Sequence, residues 1–170
     1  HWLARHYEEC DTLYLFGFSR GAYTARSLVG LLRKTGLVRA LEDRRALDRL
    51  VHEAYDLYRQ RDLSPDSPQA VAFRQQHSRE VRVRYIGVWD TVGALGLPFP
   101  KIPFSSDYYQ FHDTGLSRIV DEACHALAID EHRKLFAPTL WTQKPEDTVL
   151  EQRWFVGAHS DVGGGYKDDR

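Results

Sequence analysis

Apolar and polar positions along this chain sort into alternating stretches of helix and strand period. Residues 1–10 (HWLARHYEEC) read as a short helix with Trp2, Leu3 and Tyr7 on one side. Residues 12–18 (TLYLFGF) are an apolar, aromatic run of strand length, as expected of a strand buried on both faces. Over residues 22–34 the period becomes helical, with Ala22, Ala25, Leu28, Val29 and Leu32 on one face. Arg33 and Lys34 fill its last turn and Gly36 stands just beyond, which are stop signals. Residues 41–61 predict a second helix striped by Leu47, Leu50, Val51, Ala54, Tyr55 and Tyr58. Twelve of the 24 residues from Arg39 to Asp62 are charged, with both signs interleaved, so this helix belongs on the surface or over a site as a lid. Ser64 to Pro68 read as a loop, and a short helix follows to about Gln76.

Residues 81–89 (VRVRYIGVW) begin as alternating apolar and basic and then become continuously apolar, a strand with an exposed start and a buried end. Asp90 stands at its carboxyl edge, and the Gly- and Pro-rich stretch from Gly93 to Ser106 is a loop. Residues 116–128 predict a helix with Leu116, Ile119, Val120, Ala123, Leu127 and Ala128 on one face and Asp113 or Thr114 as its cap. Residues 152–158 (QRWFVGA) predict a third strand, which ends at His159. The loop Ser-Asp-Val-Gly-Gly-Gly-Tyr comes next.

Strands separated by helices imply parallel strands joined by crossovers, hence an α/β fold with a mainly parallel sheet flanked by helices. In such sheets ligands sit beyond the carboxyl ends of the strands, which here are Ser19, Asp90 and His159.

The bulk properties narrow the function classes. At 170 residues the chain fits one domain, read as 1–170 with a helical insertion over about 41–77. Its formal net charge of -1 gives it no global attraction to nucleic acid or to an anionic membrane. The longest run free of Asp, Glu, Lys and Arg, Thr91 to Pro100, is too short to span a bilayer. Cys10 and Cys124 are too few for a disulfide framework and are expected to be reduced, packed thiols. The chain starts at His1, has no methionine and no signal-peptide pattern, and so reads as a soluble piece of something longer.

Gly17-Phe18-Ser19-Arg20-Gly21 is a G-x-S-x-G sequence placed where a buried strand must turn abruptly into a helix. The two glycines are expected to remove side chains where strand and helix backbones crowd. Ser19 is then left on a strained tip, with the Arg20 N–H at the helix N-terminus facing a developing oxyanion. A structural or anion-binding turn is the competing reading of the string alone. A serine nucleophile needs a base and an orienting acid, and the order Ser19, Asp90, His159 supplies both at strand ends. Asp161, two residues from His159, is the competing acid, and it reads better as a loop anchor. His125 falls on the polar face of the 116–128 helix with Arg118, Asp121 and Glu122, a solvated or salt-bridged position, with pocket closure as the alternative. Trp89, Trp141, Trp154 and the Tyr108–Tyr109 pair read as core or rim.

Four segments, GFSRGAYTAR (17–26), VWDTVGALG (88–96), HALAIDEHRKLF (125–136) and WFVGAHSDVGGGY (154–166), resemble the type VI secretion phospholipase effector-like catalytic domain family. The resemblance implies an α/β-hydrolase-like fold with lipase or phospholipase A activity, Ser19 as nucleophile, His159 as base and Asp90 as acid. His125 and Asp130 lie in one of its motifs. It also implies an Asp-Gly-Thr-containing strand ahead of the elbow. This chain does not include it, so the domain is expected to be partial, lacking N-terminal strands and the second oxyanion donor.

Together these readings predict a serine acyl-ester hydrolase acting on phospholipid, without metal or organic cofactor and without a nucleic-acid partner. Peripheral membrane contact is expected through other segments, and export by a contact-dependent secretion system is implied by the resemblance. The alternative is a non-catalytic interaction module on the same scaffold inside a larger protein.

Overall fold

A computed structural model describes residues 1–93 and 115–166. The apolar run after the short helix α1 (Trp2–His6) forms β1 (Leu13–Phe18), and the helical-period segment forms α2 (Arg20–Thr35). Gly36 ends α2 at φ 68°, a left-handed conformation that favours glycine. A two-residue strand β2 (Leu37–Val38) follows. The charged segment forms α3 (Arg44–Arg59), whose N-cap Asp43 accepts the Arg45 N–H at 2.9 Å. Ser67 and Pro68 open α4 (Pro68–His77), and β3 (Ser78–Arg79) pairs antiparallel with β2. That small ribbon leaves no sequence pattern long enough to read.

The main sheet is built from β1, β4 (Val83–Trp89), β5 (Val120–Ala128) and β6 (Val149–Phe155), in the order β1-β4-β5-β6, every pair parallel. The fold is therefore α/β, with a parallel sheet flanked by helices, as in α/β-hydrolases. Leu13, Val83, Ile86, Val88, Val120 and Ala123 from the strands bury against Ala22, Ala25, Val29 and Leu32 of α2, and Leu47 and Leu50 of α3 join the same core. Each such side chain contributes about 1.5–3 kcal/mol when fully buried, alanines less. On the other sheet face Tyr14, Phe16 and Trp89 are exposed and lean on one another and on Tyr85.

Three expectations are corrected here. Residues 116–128 form no helix: β5 occupies Val120–Ala128 and sits between β4 and β6 in the sheet. Its Ala and acidic residues suit a helix in isolation, but sheet pairing on both sides overrides that weak preference. The expected caps Asp113 and Thr114 lie outside the described residues, as do Tyr108 and Tyr109. The last strand ends at Phe155, so His159 does not end it, and as an edge strand it leaves Trp154 and Phe155 about half exposed. Trp141 is buried, Cys10 is exposed rather than packed, and Cys124 is half-buried. No helix among the described residues is long and apolar enough to cross a membrane.

Candidate functional site

Ser19 sits between β1 and α2 at φ 57° and ψ -122°, a backbone conformation an L-residue adopts only at a cost of about 1–3 kcal/mol. The turn is held from both sides. The Ser19 N–H donates to the Trp89 carbonyl of β4 at 3.0 Å, and the Ser19 carbonyl accepts the Tyr23 N–H of α2 at 3.2 Å. A Cβ on Gly17 would stand 2.5 Å from the Gly21 carbonyl oxygen, so strand and helix meet at this distance only because residue 17 is glycine. Gly21 differs: a Cβ there meets open space, and the expectation that both glycines relieve crowding holds for Gly17 alone. Serine is a preferred N-cap, yet the Ser19 hydroxyl makes no cap bond to α2. It lies 2.8 Å from His159 Nε2 instead.

His159 opens a one-turn helix, α5 (His159–Val162), reached from β6 through Gly157 at φ 116°. The chain between β6 and α5 is pinned to the loop after β5. The Gly157 N–H donates to Asp130 Oδ2 at 2.7 Å, and the Asp130 N–H donates to the Gly157 carbonyl at 3.1 Å. The His159 N–H approaches Glu131 Oε2 at 3.4 Å. Hydrogen bonds from the Arg133 guanidinium, aided by the Arg133 and His159 backbone N–H groups, hold the Glu131 carboxyl down at about 2. Phe18 and Phe136 flank the His159 ring at 4.5 and 4.8 Å between centroids, which leaves the imidazole 4% exposed.

Asp90 follows β4 at φ 37° and is fully buried. Its Oδ2 lies 2.6 Å from His159 Nδ1, and its Oδ1 accepts the Ala128 N–H of β5 at 3.1 Å. A carboxylate beside Nδ1 keeps the imidazole proton on that nitrogen and leaves the Nε2 lone pair toward Ser19. The structure thus brings Ser19, His159 and Asp90 together in one hydrogen-bonded line. It places Asp161 elsewhere: Asp161 Oδ2 accepts the Ala158 N–H at 2.8 Å at the start of α5. The Arg20 N–H is the first of α2, among those with no carbonyl within the helix to donate to.

His125 departs from the solvated helix position expected of it. In β5 it is buried and not on a solvated helix face, and its Nε2 accepts the Thr91 N–H at 3.1 Å. Burial, and next the nearby Arg26 guanidinium, push its pKa down to about 4. Asp130 and Glu131 were also missed as anchors of the His159 loop; their place within a motif containing His125 was the only hint. No group of three or more His, Cys, Asp or Glu among the described residues is arranged to hold a metal ion.

The family described as "T6SS, Phospholipase effector Tle1-like, catalytic domain" matches residues 1–170. The chain is also similar to the uncharacterized protein YEL023C of Saccharomyces cerevisiae, 30% identical over 153 residues, which is 85% of this chain and 20% of that protein. It therefore spans about a fifth of the length of the curated relative it matches. No solved structure matches.

Proposed function

Because the chain belongs to the type VI secretion, Tle1-like phospholipase effector catalytic domain family, we propose that it is a serine acyl-ester hydrolase acting on phospholipid. The observation that carries this reading is the unbroken line from Ser19 Oγ to His159 Nε2, 2.8 Å, and from His159 Nδ1 to Asp90 Oδ2, 2.6 Å. Ser19 Oγ attacks the acyl carbonyl carbon and its proton passes to His159 Nε2. Asp90 holds the ring with Nδ1 protonated and stabilises the imidazolium that forms. The carbonyl oxygen becomes an oxyanion, which the Arg20 N–H at the α2 terminus binds. Collapse expels the alcohol, which takes the proton from Nε2. Water then repeats the sequence on the acyl-serine and releases the fatty acid.

Residues 1–170 act in this reading as one catalytic unit, with the α3–α4 segment a helical insertion packed on α2. The experiment is fatty-acid release from phosphatidylcholine vesicles and from a p-nitrophenyl ester by wild type and Ser19→Ala. The expected result is release that Ser19→Ala abolishes. A folded wild type that hydrolyses neither substrate favours a non-catalytic interaction module.

A further inference from the structure

We propose that His125 is a positioning residue for the catalytic acid, setting the Asp90 turn through the tautomer of its own buried imidazole. The inference rests on the catalytic reading above. Asp90 is a fully buried, non-glycine residue at positive φ, so the turn that carries it needs external restraint. Two N–H groups of that turn contribute to it, alongside the Thr91 carbonyl, which accepts the Thr139 N–H at 2.8 Å. The Asp90 N–H donates to the Ala126 carbonyl at 2.7 Å, a backbone contact that any residue at 126 would offer. The Thr91 N–H donates to His125 Nε2 at 3.1 Å, a contact that depends on the side chain. Thr91 is itself buried, so its N–H has no water to turn to.

That bond exists only while Nε2 keeps its lone pair, and the surroundings see to this. In the neutral ring the proton must then sit on Nδ1, which faces Gln152 Oε1 at 3.4 Å. The Gln152 amide cannot turn its NH₂ toward the ring, because both ends are committed to Trp141. Its Oε1 accepts the Trp141 N–H at 2.9 Å and its Nε2 donates to the Trp141 carbonyl at 2.9 Å. The Trp141 indole packs edge-on to His125 at 5.6 Å and carries the Arg26 guanidinium over its face at 4.5 Å. A second cation on His125 would be buried beside Arg26, with the Asp90 carboxylate already engaged by His159 and Ala128. The backbone of Trp141 thus fixes Gln152, Gln152 fixes the His125 tautomer, and His125 fixes the turn that aims Asp90 at His159. Through these bonds His125 acts on the Asp90 turn and not on Ser19 directly.

The test uses His125→Phe, which keeps a ring against Trp141 but removes the acceptor, and His125→Gln, whose amide oxygen can stand near the position of Nε2. With a p-nitrophenyl ester, kcat of His125→Phe is expected to fall on the order of 10²-fold with KM within about twofold. His125→Gln should recover most of it. In an Asp90→Asn background the same substitution should cost no more than about twofold, because the interaction it serves is already gone. A low-field ¹H resonance from the His159–Asp90 hydrogen bond should shift or broaden in His125→Phe and return in His125→Gln. Wild-type kcat in His125→Phe overturns the inference alone. So does an equal loss in the Asp90→Asn background, failure of His125→Gln to recover kcat, or an unmoved resonance. A wild type that hydrolyses no ester removes the catalytic reading, and this inference with it.

Discussion

Asp90 stands between two donors, His159 Nδ1–H at 2.6 Å on one carboxylate oxygen and the Ala128 N–H at 3.1 Å on the other. An asparagine at 90 has one acceptor for the two. Its NH₂ must face one donor, and the backbone N–H of Ala128 cannot change. The carbonyl oxygen therefore stays with Ala128, and the NH₂ turns to His159, which moves the imidazole proton to Nε2 and blocks Ser19. Asp90→Asn is expected to lower kcat roughly 10⁴-fold while the chain stays folded. Asp161→Asn, which can still accept the Ala158 N–H, should lose less than about tenfold, within the reach of a weakened cap. Steady-state ester hydrolysis by the two variants compares them, with circular dichroism to verify folding. The opposite ranking would make Asp161 the orienting acid.

The two glycines of the Ser19 motif should respond with opposite sign. Gly17→Ala drives a methyl to 2.5 Å from the Gly21 carbonyl oxygen, which must push β1 and α2 apart at a cost of about 1–3 kcal/mol. Gly21→Ala adds a methyl in open space on a helix and should gain about 0.5–1 kcal/mol from helix propensity. Urea denaturation of both variants measures the difference.

The low pKa of His125 makes a stability prediction with a definite sign. An unfolded histidine titrates near 6.5, and burial and then Arg26 lower the folded value to about 4. Between those values the unfolded chain binds the extra proton, so stability is full above about pH 6.5 and falls as pH drops toward 4. The loss attributable to this residue is at most about 3 kcal/mol. Unfolding free energies at pH 7 and 4.5 should differ more for wild type than for His125→Gln, and an equal pH dependence would contradict the assignment.

Much of the fold is legible in the sequence, and the reasons are local. A strand such as Leu13–Phe18 that runs straight into a helix declares both elements, because the period changes within a few residues and Gly36 ends the helix with its own conformational signature. Ser19 and Asp90 are legible as strand-end positions because each directly follows an apolar run of strand length. β5 is not legible. A strand paired on both sides is partly buried on both faces, so Val120, Ala123, Leu127 and Ala128 keep a spacing a helix also satisfies. On a helix His125 would face solvent, and only the strand turns it inward to meet the Thr91 N–H. The roles of Asp130 and Glu131 depend on contacts with Gly157 and His159, more than 25 residues away in sequence, which no local pattern encodes.

The most direct measurement of the central claim is covalent labelling by a fluorophosphonate probe, with the adduct located by peptide mass spectrometry. A serine activated by His159 should carry a single adduct at Ser19, absent in Ser19→Ala and slowed on the order of 10³-fold or more in His159→Ala. A folded wild-type chain that takes up no label, or that takes it up at a residue other than Ser19, would contradict the assignment of Ser19 as the nucleophile.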